Sequence, residues 1–291
     1  MINKFLDVSQ YAFLGFLGVA FAYLLTSLLL AVGMNKLPRD HGREFAHDGG
    51  LSAGKPRGAG FVFILVFVLS TLIFGNMGRE MTIYLILTVA AMMTGYLDDC
   101  AKVSWGELRK GLLDLVIAVM TAVTIVNFNG SDVTIALTGQ VITLHPLLYG
   151  ALAVILVWGS INVTNCADGV DGLSGTLTSI TLFTIYLIMN RAETATGFSY
   201  TILLFIAISI MKAGCPFLYL LVAFVLMVDG GIGLFKVSLL RFLHIRILTK
   251  IRTPLHDHVR KNMGWSNAQT VFKFAIIQIM ISAAVLWLTE V

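Results

Sequence analysis

Asn162-Val163-Thr164-Asn165-Cys166-Ala167-Asp168-Gly169-Val170-Asp171-Gly172 lies between two apolar runs, 146–163 and 172–189. Each run is long enough to cross a bilayer, for which roughly 17–20 residues suffice. The stretch packs two carboxamides and two carboxylates beside Gly169 and Gly172. Polar groups this dense at a hydrocarbon boundary are costly unless something uses them. The same placement recurs at Asp98-Asp99, closing an earlier apolar run, and at His256-Asp257-His258. Three polar clusters at the ends of hydrophobic spans read as one site assembled at a membrane surface.

The rest of the chain agrees. Of 291 residues, 57% are hydrophobic and only 12% charged, with a mean hydropathy of +0.87; a soluble domain carries about 25% charge. Further apolar runs fall at 11–34, 59–75, 81–97, 111–127, 216–240 and 270–288, with a shorter one at 199–211. The expected fold class is therefore an all-α polytopic integral membrane protein, a single transmembrane domain over 1–291. No small-residue cleavage site follows the first run, so it is expected to be a retained span. Residues 131–144 carry β-branched residues either side of Thr138-Gly139, which predicts a small external hairpin.

Net charge is +4, but the placement of the bases matters more than their sum. Lys36, Arg39, Arg43, Lys55 and Arg57 follow the first run; Lys102, Arg109 and Lys110 follow the third; Arg241, Arg246, Lys250, Arg252, Arg260 and Lys261 precede the last. Bases mark the cytoplasmic side, which puts the N-terminus outside and all three polar clusters on the cytoplasmic face. To keep the 241–261 bases inside, the number of crossings must be even. About eight crossings are expected, with 199–211 re-entrant or 199–228 forming one bent passage kinked at Pro216. From Asp229 to Arg252, bases alternate with apolar residues, which predicts a helix leaving the membrane and lying along its surface. Cys100, Cys166 and Cys215 have no metal-ligand spacing and suit a reducing compartment. No nucleic-acid partner is expected.

Each cluster permits a definite chemistry. Asp98 and Asp99 can hold a divalent cation, or one can accept a proton under its neighbour's influence. Asn165, Asp168 and Asp171 recur every three residues and offer the hard oxygen donors that suit Mg²⁺ together with substrate phosphates. Gly169 and Gly172 would let the backbone approach a ligand. His256 and His258, in the most basic loop, could contact phosphate oxygens; as residues i and i+2 they do not share a helical face, which argues against a zinc pair. Lys110 and Lys55, the latter within Gly54-Lys55-Pro56-Arg57-Gly58-Ala59-Gly60, are further candidate phosphate bases. A transporter would hold its carboxylates near the bilayer midplane, whereas these sit at span ends. The combination suits transfer of a phosphoryl-linked group from a soluble diphosphate donor to a phosphate in the membrane.

Asp98-Asp99-Cys100-Ala101-Lys102, Asn162–Leu173 and Thr253-Pro254-Leu255-His256-Asp257-His258 resemble the motifs of the polyprenyl-phosphate N-acetylhexosamine-1-phosphate transferases. Pro254 and Gly264-Trp265 resemble its phospho-N-acetylmuramoyl-pentapeptide transferase branch. That resemblance implies transfer from UDP-MurNAc-pentapeptide to undecaprenyl phosphate, with Mg²⁺, giving the lipid-linked product and UMP. It also implies a homodimer in the bacterial inner membrane. Carried over by motif, Asp98 and Asp99 would be the catalytic acidic pair. Asn165 and Asp168 would lie at the metal and diphosphate, with Asp168 also catalytic. Asp171 would line the nucleotide pocket with Asn162 and Gly169, Lys102 and Lys110 would match active-site lysines, and His256 and His258 the outer members of a histidine triplet.

Three departures stand out. Asp257 replaces the middle histidine, and Gly54–Gly60 only loosely matches the family's glycine-rich segment. The family's Met-Gly-Asp-x-Gly-Ser motif, whose Asp binds Mg²⁺, is absent, with a gap of roughly 35 residues by family length after Leu204. Asp229 in Met227-Val228-Asp229-Gly230-Gly231 is the carboxylate available to substitute. The alternatives at this stage are a UDP-N-acetylglucosamine-type transferase and a family member inactivated by loss of that motif.

Overall fold

The computed structural model describes residues 11–39, 54–101, 103, 105–135, 138–191 and 217–289. The 199–211 segment, Pro216 and Lys102 lie outside them, so the expected number of crossings does too. The described residues form helices α1 (Tyr11–Gly33), α2 (Ala59–Phe74), α3 (Arg79–Cys100), α4 (Glu107–Asn129), α5 (Pro146–Ala167), α6 (Leu173–Arg191), α7 (Leu218–Val222), α8 (Phe224–Leu243), α9 (Leu255–Met263) and α10 (Asn267–Leu288). Strands β1 (Asp132–Thr134) and β2 (Val141–Thr143) lie between α4 and α5.

Five helices (α1, α3, α4, α5 and α10) are long and apolar enough to cross a membrane, and α2 and α6 are shorter apolar helices. Phe16, Tyr23 and Val32 on α1 and Phe272 and Met280 on α10 are exposed. Apolar surface on that scale needs a cover, which lipid supplies. The chain is a multi-pass membrane protein with an all-α framework. The expected hairpin is present, with Asp132 opposite Thr143 and Thr134 opposite Val141.

The chain divides into two compact units, one reaching Thr124 and the other holding nearly all the rest. In the first, the Ser70 hydroxyl donates to the Gly18 carbonyl at 2.9 Å, binding α2 to α1. Phe61 on α2 stacks on Tyr96 of α3 with ring centroids 4.5 Å apart. Gly58, at φ 74°, caps α2 in the left-handed region, and a Cβ there would press on Tyr96. Arg39 and Pro56 pair as an antiparallel bridge, reinforced by Arg57 N–H to Pro38 O at 2.7 Å and Arg39 Nη1 to Gly54 O at 2.9 Å.

In the second unit α8 lies against α5. A Cβ on Gly230 would overlap the Val163 carbonyl oxygen, so glycine lets the two backbones touch. Ala167, Val170, Leu173, Leu177, Val225, Leu226, Val259 and Phe274 form one core cluster joining α5, α6, α8, α9 and α10. Pro146 starts α5, with His145 accepting from Leu147 N–H at 3.3 Å. A Ser266–Gln269 capping box starts α10.

The helical path breaks between α7 and α8 at Ala223 (φ −112°, ψ 20°). Backbone polar groups freed inside a membrane protein need partners, and Gln278 of α10 supplies them. Its Oε1 accepts from Val225 N–H at 2.9 Å, and its Nε2 donates to Val222 O at 2.9 Å. Thr181 of α6 donates to the same Val222 carbonyl at 2.9 Å. Gln278 is wholly buried. Gln278→Leu keeps much of the volume but strands the Val225 N–H and leaves the Val222 carbonyl to Thr181 alone, and is expected to cost about 2 kcal/mol, read as a lower Tm in detergent.

One expectation is overturned here. The predicted surface helix does not continue: α8 stops at Leu243, His244 takes the left-handed conformation, and 244–254 is non-helical. Lys236 Nζ donates to the carbonyls of Leu248 (3.1 Å) and Ile251 (2.8 Å), folding the basic loop back instead of letting it extend.

Candidate active site

The acidic pair stands in the last turn of α3, in the first unit. Successive helical residues point about 100° apart, so Asp98 and Asp99 meet different partners. Asp98 Oδ1 accepts from Trp105 N–H at 2.7 Å, and its Oδ2 lies 2.5 Å from Lys110 Nζ in the first turn of α4. Asp99 Oδ1 lies 3.8 Å from Arg57 Nε. The Arg109 guanidinium sits 3.7 Å above the Trp105 ring, a cation–π contact that packs the connection between α3 and α4. Lys110 and Asp98 thus form a close charge-assisted pair at a half-exposed helix end. Lys55 is exposed, one residue after the Arg39-bonded Gly54.

The second unit holds the other clusters. Asp168 is the C-cap of α5 (φ −85°, ψ 59°). The chain then turns through Gly172, at φ 86°, into α6. Val170 and Leu173 are buried in the core, and Leu173 N–H donates to Val170 O at 3.0 Å. With Val170 pulled inward, Asp168 and Asp171 on either side are exposed, as is Asn165 one turn back. Three oxygen-bearing side chains therefore project from the C-terminal end of α5, where the helix dipole and unpaired carbonyls favour a cation. Asn162 is placed differently: its amide donates to Trp158 O within the helix at 2.9 Å.

α9 presents His256, Val259 and Arg260 inward, and all three are buried. His258, two residues on, is only partly buried, and its Nδ1 accepts from Arg252 N–H at 3.2 Å. Asp257 pairs with Arg260 at 3.7 Å. His256 meets Asp229 of α8 twice: its backbone N–H donates to Oδ1 at 2.7 Å, and its Nδ1 lies 2.8 Å from Oδ2. Asp229 is 0% exposed and His256 2%. The opposite edge of the ring, Nε2, stands against Gly169, where any Cβ would collide with it. Gly169 therefore makes room for an imidazole, not only for a ligand.

Sequence reasoning missed the Asp229–His256 and Arg57–Asp99 contacts. The first had a signal, an aspartate in the apolar first half of a helix, for which a buried partner is the default. Among the described residues no group of three or more His, Cys, Asp or Glu is close enough to hold a metal. The Asn165–Asp168–Asp171 set nevertheless fits Mg²⁺ by donor chemistry, since that ion takes one or two carboxylates and completes its shell with water and phosphate.

A family model described as glycosyl transferase family 4 matches residues 81–231. The phospho-N-acetylmuramoyl-pentapeptide-transferase of Treponema pallidum (strain Nichols) is 36% identical over an alignment of 327 positions, covering 96% of this chain and 90% of its own. The chain belongs to the phospho-N-acetylmuramoyl-pentapeptide-transferases of glycosyl transferase family 4. A transferase of the same name from Symbiobacterium thermophilum is 31% identical over 134 residues, 41% of this chain and 39% of its own. The family match takes in Asp98, Asp99, Asn165, Asp168, Asp171 and Asp229, and ends before His256. An alignment of 327 positions that takes in 96% of the 291 residues leaves roughly 48 positions of the Treponema relative without a counterpart here.

Proposed function

We propose that this chain transfers phospho-MurNAc-pentapeptide from UDP-MurNAc-pentapeptide to undecaprenyl phosphate. An oxygen of the lipid phosphate forms a new bond to the sugar-bearing phosphorus, the bond between the donor's two phosphates breaks, and UMP leaves. The observation that carries this reading is 36% identity across 96% of the chain to a protein of that named activity. Neither the UDP-N-acetylglucosamine reading nor the inactivated-member reading has a comparable support.

In this reading Asp98 and Asp99, each beside a base, receive the lipid phosphate: Lys110 and Arg57 attract it and a carboxylate takes its proton. Asp168 and Asn165 would hold Mg²⁺, which when bound offsets charge on the diphosphate. Asp171, Gly169, Lys55, Lys102 and His258 would bind the donor, with Asn162 supporting the α5 end from within. Asp229, the carboxylate available to substitute as a metal ligand, has both oxygens on His256 and so stands outside the proposed metal set. The site would open to the cytoplasmic face of a bacterial inner membrane, in a homodimer.

Purified protein in detergent with undecaprenyl phosphate is expected to release UMP from UDP-MurNAc-pentapeptide at least about 100-fold faster than from UDP-N-acetylglucosamine, a discrimination that needs polar contacts to the missing groups. Equal rates would overturn the donor assignment. Chelation of divalent cations should abolish release and added Mg²⁺ should restore it; turnover persisting in chelator would remove the metal from the scheme.

A further inference from the structure

The Asp229–His256 pair has a geometry that neither metal binding nor simple packing requires. Both carboxylate oxygens converge on one histidine, one taking the backbone N–H and the other facing Nδ1. Asp229 is fully enclosed and pairs with no other residue among those described. An enclosed carboxylate without a hydrogen-bonding partner is costly, so Nδ1 must carry a proton and donate it to Oδ2. That fixes the ring plane and the tautomer together. Nε2 is then the ring's one remaining polar atom. It makes no hydrogen bond among the described residues, and it faces the backbone of Gly169 beside Asp168.

We infer that Asp229 is a positioning residue: it holds His256 with Nδ1–H turned inward, so that Nε2 meets a phosphoryl oxygen of the diphosphate donor at the Asp168–Gly172 turn. This deepens the function proposed above and rests on it. When Nε2 also carries a proton, the carboxylate balances the ring's charge, and the imidazole can donate to a phosphate oxygen without leaving net charge in an enclosed place. The arrangement is the one by which a carboxylate orients a working histidine elsewhere. Asparagine at 229 cannot reproduce it. Its single oxygen is needed by the His256 backbone N–H, so its NH₂ group faces Nδ1 and demands the opposite tautomer.

Two measurements on the full chain in detergent decide the matter. In protein labelled with ¹⁵N-histidine, with His256 assigned by its loss in His256→Gln, Nδ1 of the wild type is expected to be protonated near pH 7. It should lose that proton in Asp229→Asn. A wild-type Nδ1 without a proton overturns the inference whatever the activity, and whether or not the variant folds. In the UMP-release assay Asp229→Asn should lower kcat about 100-fold or more and change KM less than about threefold. The double variant Asp229→Asn/His256→Gln should be no slower than His256→Gln alone, because residues acting through one another are not additive. A further tenfold loss in the double variant would mean that Asp229 acts independently, and would overturn the inference. Wild-type inactivity with UDP-MurNAc-pentapeptide would sink the proposed function but leave the imidazole signature standing.

Discussion

Asp168→Asn is expected to lower kcat for UMP release by about 10³-fold or more, with Tm nearly unchanged. Asp168 is exposed at the C-cap of α5, and its neighbours Ala167 and Val170 supply the anchoring in the core. The substitution therefore removes a charge without disturbing packing. What it removes is the anionic donor through which a cation would be held at the diphosphate, and electrostatic groups of this kind are worth about 10²–10³ in rate or more. Asp171→Asn, at the other end of the same turn and proposed above to bind the donor, should cost less and act mainly on KM. A loss smaller than tenfold in Asp168→Asn, measured at saturating Mg²⁺ and donor, would show that the turn does not hold the reacting phosphates.

Gly230→Ala should be the most damaging of the small substitutions to stability, by about 3 kcal/mol or more. Its new methyl would overlap the carbonyl oxygen of Val163 and crowd Val163 C and Ala167 N at 3.0 and 3.2 Å. All three are backbone atoms of α5, so relief requires the two helices to separate. Gly231→Ala provides the control, since its methyl would meet only Val163 Cγ2 at 3.7 Å, an ordinary contact. Thermal unfolding of the two variants in the same detergent checks the difference; equal Tm values would contradict the close α5–α8 approach. Activity should fall with stability in Gly230→Ala, because α8 also carries Asp229.

The spans were legible because hydropathy is a local property. The apolar runs 81–97, 146–163 and 172–189 became α3 (Arg79–Cys100), α5 (Pro146–Ala167) and α6 (Leu173–Arg191), lengthened by the polar residues at their ends. The hairpin was legible for the same reason. What the sequence could not convey was pairing at a distance. Asp229 and His256 are 27 residues apart, and the loop between them contains enough apolar residues to suggest continued helix. That helix fails because His244 and Leu248 adopt positive φ and Lys236 captures two carbonyls of the loop, a tertiary event with no local signature. Gly169 was singled out for the right freedom but for an incomplete reason, since the group that needs its missing side chain includes the His256 ring. At Asn162 the polar character was plain and its direction was not: the amide is spent on Trp158 O.

The way Gln278 closes the break at Ala223 also bears on how the molecule can be engineered. A purification tag fused beyond Thr289 leaves that amide untouched, whereas trimming α10 back past Gln278 would unplug Val225, 53 residues away in sequence, and weaken the hold on Val222. Shortened versions of this enzyme should therefore be cut elsewhere.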